Sequence, residues 1–419
     1  MTAPSGGAVI QSLYAFPYPV QQNNGGRPEG GAHKAVLRQR GPTPVRLEFL
    51  LPWLHSYPDA DKACQLEWGF REGFRVGYQG PRYRRWADNL RSAKEQPQVV
   101  HDKVAKEVAL GRIAGPFFEW PGENLMISPL GVVPKKAPGE FRLIHHLSWP
   151  EGTSVNDFIA HEDSKVVYAS VDDAVRLVLK CGHRAEMAKC DIQSAFRLLP
   201  IHPADFDLLG MQPDGAIYVD RVLPMGCAIS CALFESFSTF LQWVFVKISG
   251  HRTVTHYLDD FLFVGTATSG ACARALADFQ RLTQQAGGPL APEKTEGPLA
   301  LMTFLGIELD ANTLVARLPA TKVAEMLEFL AMKMNRSQLE GPTGITGQLR
   351  LAKREPVLRG ARLGPSERDV RCAVLLNSER GMSRPMRDTS AMVGVAEIFT
   401  ASLAIYSNKP DRRMIENTI

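Results

Sequence analysis

The sequence is poor in cysteine and holds none in pairs. Its seven (Cys64, Cys181, Cys190, Cys227, Cys231, Cys272 and Cys372) stand at irregular intervals with no Cys-x-x-Cys, which disfavours a disulfide framework and a zinc finger alike. A reducing intracellular compartment, cytoplasm or nucleus, is the expected setting. Long apolar runs are lacking too: nowhere do eighteen apolar residues follow one another. The N-terminus, MTAPSGGAVIQSLYAFPYPVQQNNGG, has no basic start leading into an unbroken apolar stretch. Neither secretion nor a membrane partner is expected. A strong net charge is also missing, since 48 Lys and Arg stand against 44 Asp and Glu. That total does not point to nucleic acid, so the local placement of basic residues carries more information.

What is present is an ordinary globular composition, 45% hydrophobic and 22% charged over 419 residues, long enough for two or three domains. Residues 1–45 are rich in Gly, Pro, Gln and Asn and read as a flexible arm. Residues 46–125 form an N-terminal helical and basic region. Within it PRYRRWADNLRSAK (81–94) interleaves Arg82, Arg84, Arg85, Arg91 and Lys94 with Tyr83 and Trp86. Such a stretch can grip phosphates and stack on bases; a solvated basic face with two half-buried aromatics accounts for it equally well.

PQVVHDKVAKEVALG (97–111) predicts a helix with Val100, Val104 and Val108 on one face and Gly111 at its end. SPLGVVPKKAPGEFRLIHHLS then reads as strand, turn and strand, and places Lys135, Lys136 and Arg142 on two arms of one hairpin. Three cations so close can clamp a triphosphate, although a charged surface hairpin is the plainer reading. SVDDAVRLVLKCG has a good helix start at Ser170. AEMAKCDIQSAFRLLPI reads as a strand with Asp191 near its end, and CALFESFSTFLQWVFVKI as a buried helix. Strands are expected over 254–258 and 261–264 around an acidic turn, a further helix in ATSGACARALADFQRLTQQAG, and a strand pair in LMTFLGIELD.

The acidic turn is the sharpest feature. In THYLDDFLFV two carboxylates, Asp259 and Asp260, sit between apolar runs where charge is costly. Asp is favoured in turns for local hydrogen bonding, and YLDD by itself is a turn more often than a site. Asp191, a second carboxylate embedded in apolar sequence at the end of another strand, shifts the balance. If the two strands are neighbours, carboxylates meet at one sheet edge and repel, a conflict that a pair of Mg²⁺ ions resolves. Two ions roughly 3.5 to 4 Å apart are what polymerases and nucleases use. Because successive strand side chains alternate, Asp259 is expected to face Asp191 and bridge the ions, with Asp260 supporting.

AKCDIQSAF, LPMGCAIS and HYLDDFLFVG, in this order, resemble the palm motifs of reverse transcriptases. The fingers hairpin is matched by SPLGVVPKKAPGEFRLIHHLS, and the stretch after the palm hairpin by APEKTEG and FLGIELD. The likeness runs from about 45 to 364. FRLIHHLSWPEGTSVND and LPMGCAISCALFESFSTFLQW are most similar to the enzymes of retrotransposons that carry a tyrosine recombinase, the DIRS and Ngaro type.

The resemblance implies an α+β right-hand core of fingers and palm (126–312) with an antiparallel palm sheet, and a thumb-like connection (313–364). It implies RNA-directed DNA synthesis from dNTPs on a primed RNA or DNA template, with two Mg²⁺ ions or Mn²⁺ in their place. Asp191, Asp259 and Asp260 would then be the catalytic, metal-binding acids, with the backbone carbonyl of Ile192 as a further ligand. Lys135 or Lys136 and Arg142 would hold the triphosphate, and Lys294 would lie near the leaving pyrophosphate. Phe196 falls where an aromatic ring excludes a 2′-hydroxyl. Gly226 and Ser230 would line the nucleotide and template path.

There are departures. Met225 stands where retroviral enzymes have Gln, and His145, His146 and Leu147 replace the usual Asp and Arg after FRLI. After Gly364 only about 55 residues remain, too few for the ribonuclease H and recombinase of relatives; 365–419 is an unmatched tail. A retroelement remnant that binds nucleic acid without polymerising is the competing expectation, and Phe196 disfavours an RNA-synthesising enzyme. Cys227 and Cys231 are read as packing before metal binding. His256, beside the acids, is read as strand packing before proton transfer.

Overall fold

The structure, a computed structural model, describes residues 37–135, 139–325 and 328. Lys136, most of the N-terminal arm, nearly all of the thumb-like segment beyond 325 and the whole tail lie outside the described residues. The stretch 39–45, grouped above with the flexible arm, is tied to the fold. Arg221 donates to the carbonyls of Gln39 and Arg40, Thr43 donates to the Leu198 carbonyl at 2.6 Å, and Val45 is buried.

Four antiparallel strands form the central sheet: β6 (Glu186–Asp191), β9 (Val254–Tyr257), β10 (Asp260–Gly265) and β11 (Glu296–Leu299), in the order β11-β6-β10-β9. The period-2 alternation of β10 divides its apolar residues between two cores. Phe261 and Phe263 join the main core with α6 (Ser230–Ser249) and α7 (Ala271–Ala286), where Phe279 packs 4.4 Å from Phe261 and 5.2 Å from Phe263 between ring centroids. Leu262 and Val264 point the other way, into a second core with α5 (Val171–Cys181) and the strands β12 (Leu301–Phe304) and β13 (Ile307–Asp310). A strand buried on both faces tolerates an unbroken apolar run, which is why FLFV lacks surface alternation.

The helices form where the local signals place them. Ser170 and Asp173 close a reciprocal capping box on α5. Helix α4 (Pro97–Ala109) buries Val100 and Val104 and ends before Gly111, whose φ of +68° suits the left-handed exit. Ahead of it run α1 (Leu47–Leu54), α2 (Ala60–Glu72) and α3 (Arg91–Glu95). Helix α6 is the one described helix long and apolar enough to cross a membrane by length and composition. Here it is the centre of the main core, with Phe234, Phe237, Phe240 and Leu241 fully enclosed.

Two further sheets complete the architecture. A five-stranded sheet runs β1-β3-β7-β8-β2, from β1 (Arg85–Trp86), β3 (Met126–Ile127), β7 (Gly210–Met211), β8 (Ile217–Asp220) and β2 (Ile113–Phe117). The helical and basic region before 126 therefore supplies strands to the same sheet as the palm segment. The expected hairpin is present as β4 (Leu130–Pro134) paired with β5 (Phe141–His145), and the expected strand pair as β12 and β13, extended by β14 (Val315–Arg317). The fold is α+β with an antiparallel central sheet, as the sequence leads one to expect.

Candidate active site

Strand β6 ends at Asp191 and β10 begins at Asp260, and the antiparallel register makes these two residues direct partners. Sequence alternation alone assigned that position to Asp259. The register differs because β9 ends at Tyr257, leaving only Leu258 and Asp259 to make the turn, so that Asp260 is already on the ladder. Asp259 is held beside it by its own backbone, whose carbonyl accepts from Ile192 N–H at 3.0 Å. All three carboxylates thus gather where the two inner strands of the central sheet meet the β9–β10 turn.

That gathering has an electrostatic signature. Burial and then the Asp191 charge push the Asp259 carboxyl up to about 6, and the same two causes raise Asp260. Lys294, at the end of the short 3₁₀ turn Pro292–Lys294, places Nζ 2.6 Å from Asp191 Oδ2. Burial works against its charge, but the bond to Asp191 and the surrounding acids outweigh it and hold its pKa above the ordinary lysine value. Among the described residues no three His, Cys, Asp or Glu side chains already converge on one metal position. The donor set nonetheless fits a hard divalent cation: all-oxygen, desolvated, mutually repelling, and already sharing one cation.

Phe196 lies in the 3₁₀ turn just after Asp191, half-buried, its ring edge-to-face with Phe234 at 5.5 Å. Its ring is thereby fixed against the main core. Gly226 has φ +102°, and a Cβ there would meet the His145 carbonyl at 2.5 Å. The close backbone approach that requires glycine is to the end of β5. Ser230 does not line an open path: it is 2% exposed and donates to the Pro224 carbonyl at 2.8 Å. Asn156 braces the same loop, donating to the Gly226 carbonyl at 2.7 Å and accepting from Ala228 N–H at 2.9 Å. Nothing in the local sequence signals that role.

On the hairpin, Arg142 is exposed and opposite Val133, while Lys135 reaches Glu140 at 2.8 Å. The cations of 81–94 are mostly engaged inside the fold. Arg82 bonds to Asp205 at 2.7 Å and to Asp207, Arg84 lies over the Trp120 ring at 3.8 Å, and Arg85 is buried against Ser128 and the Thr153 carbonyl. Arg91 and Lys94 pair with Glu95 and Asp88. Arg82 and Arg85 are thus structural, while Tyr83, Arg84, Trp86, Arg91 and Lys94 remain on the surface. Cys227 is buried and Cys231 half-buried, and no metal cluster among the described residues includes them.

Residues 133–309, which contain all three acids, match the family model described as reverse transcriptase (RNA-dependent DNA polymerase). Over these residues the chain is similar to that family. Domains of this family generally work with divalent metal ions. None of the curated proteins compared matches the chain. Among solved structures, a foamy viral protease-reverse transcriptase in its dRH form, in complex with double-stranded DNA, is 19% identical with a TM-score of 0.44, covering 58% of this chain and 38% of that one. The foamy viral protease-reverse transcriptase with double-stranded DNA is 16% identical with a TM-score of 0.47, covering 87% and 72%. The same protein with an RNA/DNA hybrid gives 16%, 0.43, and coverage of 65% and 36%. The chain thus spans little more than a third of the first of these structures.

Proposed function

We propose that the chain is an RNA-directed DNA polymerase that adds dNTPs to a primer on an RNA or DNA template, of the DIRS and Ngaro retrotransposon type. One observation carries the reading: Asp191, Asp259 and Asp260 gather at one end of the inner strands, within the residues similar to reverse transcriptases, two of them with raised carboxyl pKa. The narrower lineage rests on the likeness of FRLIHHLSWPEGTSVND and LPMGCAISCALFESFSTFLQW.

Asp191 and Asp259 would hold two Mg²⁺ ions, or Mn²⁺, with Asp260 and the Ile192 carbonyl completing the set. Bound there, the ions supply Lewis-acid activation of the attacking oxygen and charge neutralisation at the leaving one. The primer 3′-hydroxyl displaces pyrophosphate from the dNTP α-phosphate. Lys135, Lys136 and Arg142 neutralise the triphosphate from the hairpin, and Lys294 serves the departing pyrophosphate. Phe196 closes the space that a ribose 2′-hydroxyl would need, its ring fixed by Phe234. Gly226 keeps its loop against β5 and Ser230 anchors it from within, so both shape the nucleotide path indirectly.

Primer extension on an RNA template with Mg²⁺, offering dNTPs and rNTPs in parallel, tests this. Extension with dNTPs alone is expected. Template binding without any extension would favour a non-catalytic remnant, and rNTP use would remove the role given to Phe196.

A further inference from the structure

The long helix α6 carries one carboxylate deep in its apolar surface, Glu235, which is 8% exposed. An acid is expensive at such a place unless something specific uses its oxygens. Its Oε2 accepts the Leu258 N–H at 3.1 Å. Its Oε1 lies 3.2 Å from Nε2 of His256, whose Nδ1 is 2.7 Å from Gln242 Oε1. His256 is itself buried and stacked on Phe261 at 5.1 Å.

Leu258 is the residue immediately before Asp259, and it sits at φ +53°. Leucine enters the left-handed region only when its surroundings impose it, because Cβ crowds the following carbonyl. A β9–β10 turn of two residues needs that conformation to bring Asp260 onto the ladder opposite Asp191. Glycine would supply it freely; leucine needs an external hold. The Leu258 N–H is the group at that position which a partner outside the turn reaches, and the partner is a buried carboxylate on a rigid helix.

We propose that Glu235 is a positioning residue that holds the metal-binding turn in its working conformation through the Leu258 N–H. This rests on the polymerase reading of the same site. Its effect on chemistry runs through Asp259: on one side of the turn Ile192 N–H fixes the Asp259 carbonyl, and on the other Glu235 fixes the residue before it. Together they set where the Asp259 carboxylate points. His256 and Gln242 keep the Glu235 side chain in place.

The test compares Glu235→Gln, which keeps an acceptor, with Glu235→Ala and Glu235→Met, which do not; the methionine variant fills the space should the alanine variant fail to fold. Three readings are taken on the full chain. Hydrogen exchange of the peptide spanning 255–264 should quicken about tenfold in E235A and E235M and stay near wild type in E235Q, in keeping with loss of one charge-assisted hydrogen bond. Mn²⁺ binding, followed by the loss of the free-ion paramagnetic signal, should weaken by roughly the same factor in E235A and E235M. In primer extension, kcat should fall and the Mg²⁺ needed for half-maximal rate should rise while primer-template affinity holds. Unchanged exchange and Mn²⁺ affinity in E235A and E235M, or E235Q behaving as they do, overturns the proposal. A wild-type chain that neither extends primers nor binds Mn²⁺ overturns the polymerase reading instead, and the exchange measurement still decides whether Glu235 holds the turn.

Discussion

Lys294 and Asp191 form a 2.6 Å ion pair in the middle of an otherwise acidic site. The lysine side chain is 56% exposed while the aspartate side chain is only 6% exposed, so a cation reaches in from solvent to a carboxylate that cannot leave. Removing the ammonium should free Asp191 for metal while taking a charge from the path of pyrophosphate. Lys294→Gln is expected to lower the Mg²⁺ concentration for half-maximal extension and to reduce the maximal rate about tenfold. Mg²⁺ titrations of steady-state extension check this; an unchanged Mg²⁺ requirement would separate the pair from metal binding.

The acids should divide between catalysis and stability. Neutralising Asp259 removes a buried charge that repels Asp191, so Asp259→Asn should abolish extension, by on the order of 10³-fold or more, while the metal-free protein melts no lower than wild type. Asp191→Asn should be as inactive. Asp260→Asn is expected to keep more activity than either, because in the proposed site Asp191 and Asp259 hold the two ions and Asp260 only completes the set. Extension rates and metal-free melting curves on the three variants decide it, and a clear drop in melting temperature for Asp259→Asn would contradict the repulsion.

Phe196 should govern sugar choice. Phe196→Ala removes the ring proposed to exclude the 2′-hydroxyl and is expected to raise rNTP use relative to dNTP by roughly 10- to 200-fold, the range that a pocket of altered size commands. The ratio of kcat/KM for the two nucleotides measures it. The edge-to-face contact with Phe234 adds a second expectation: Phe234→Leu, which loosens the ring, should relax selection by a smaller factor.

Acid should weaken the fold through His145. This residue is buried at the end of β5, and burial drops its pKa from 6.5 to about 4. The unfolded chain therefore binds the proton first. The stability it contributes is fully present above pH 6.5 and is lost as pH falls towards 4, a total of about 3 kcal/mol from a gap of some 2.5 pKa units. Denaturant unfolding of wild type and His145→Gln between pH 7 and 4.5 should show the steeper loss in wild type. Equal slopes would place the acid sensitivity elsewhere.

Much of the fold was legible because its signals are local. The apolar spacing of α4, the capping box at Ser170 and the apolar strands β4 and β5 each act within one element or one pair. The three acids were legible as well, since carboxylates set in apolar sequence need a reason. The basic stretch 81–94 was not, because residue type alone does not tell whether Arg82 faces a phosphate or Asp205, more than a hundred positions away. Glu235 was passed over although its helix already read as buried, because residue type alone does not tell that its carboxylate meets Leu258 and His256, more than twenty positions away. Its signal was there, a single carboxylate between Phe234 and Phe237.

The sequence by itself determined the composition of the site: three carboxylates, a nearby lysine, an aromatic five positions after the first acid, and apolar strands to carry them. Tertiary structure decided how those pieces meet. Strand register, which depends on turn length and pairing across β6 and β10, put Asp260 opposite Asp191 and left Asp259 in the turn. Burial, which depends on what covers a residue, took Ser230 out of the nucleotide path and made Glu235 a support for the turn. Both are properties of contacts distant along the chain, and no local pattern encodes them.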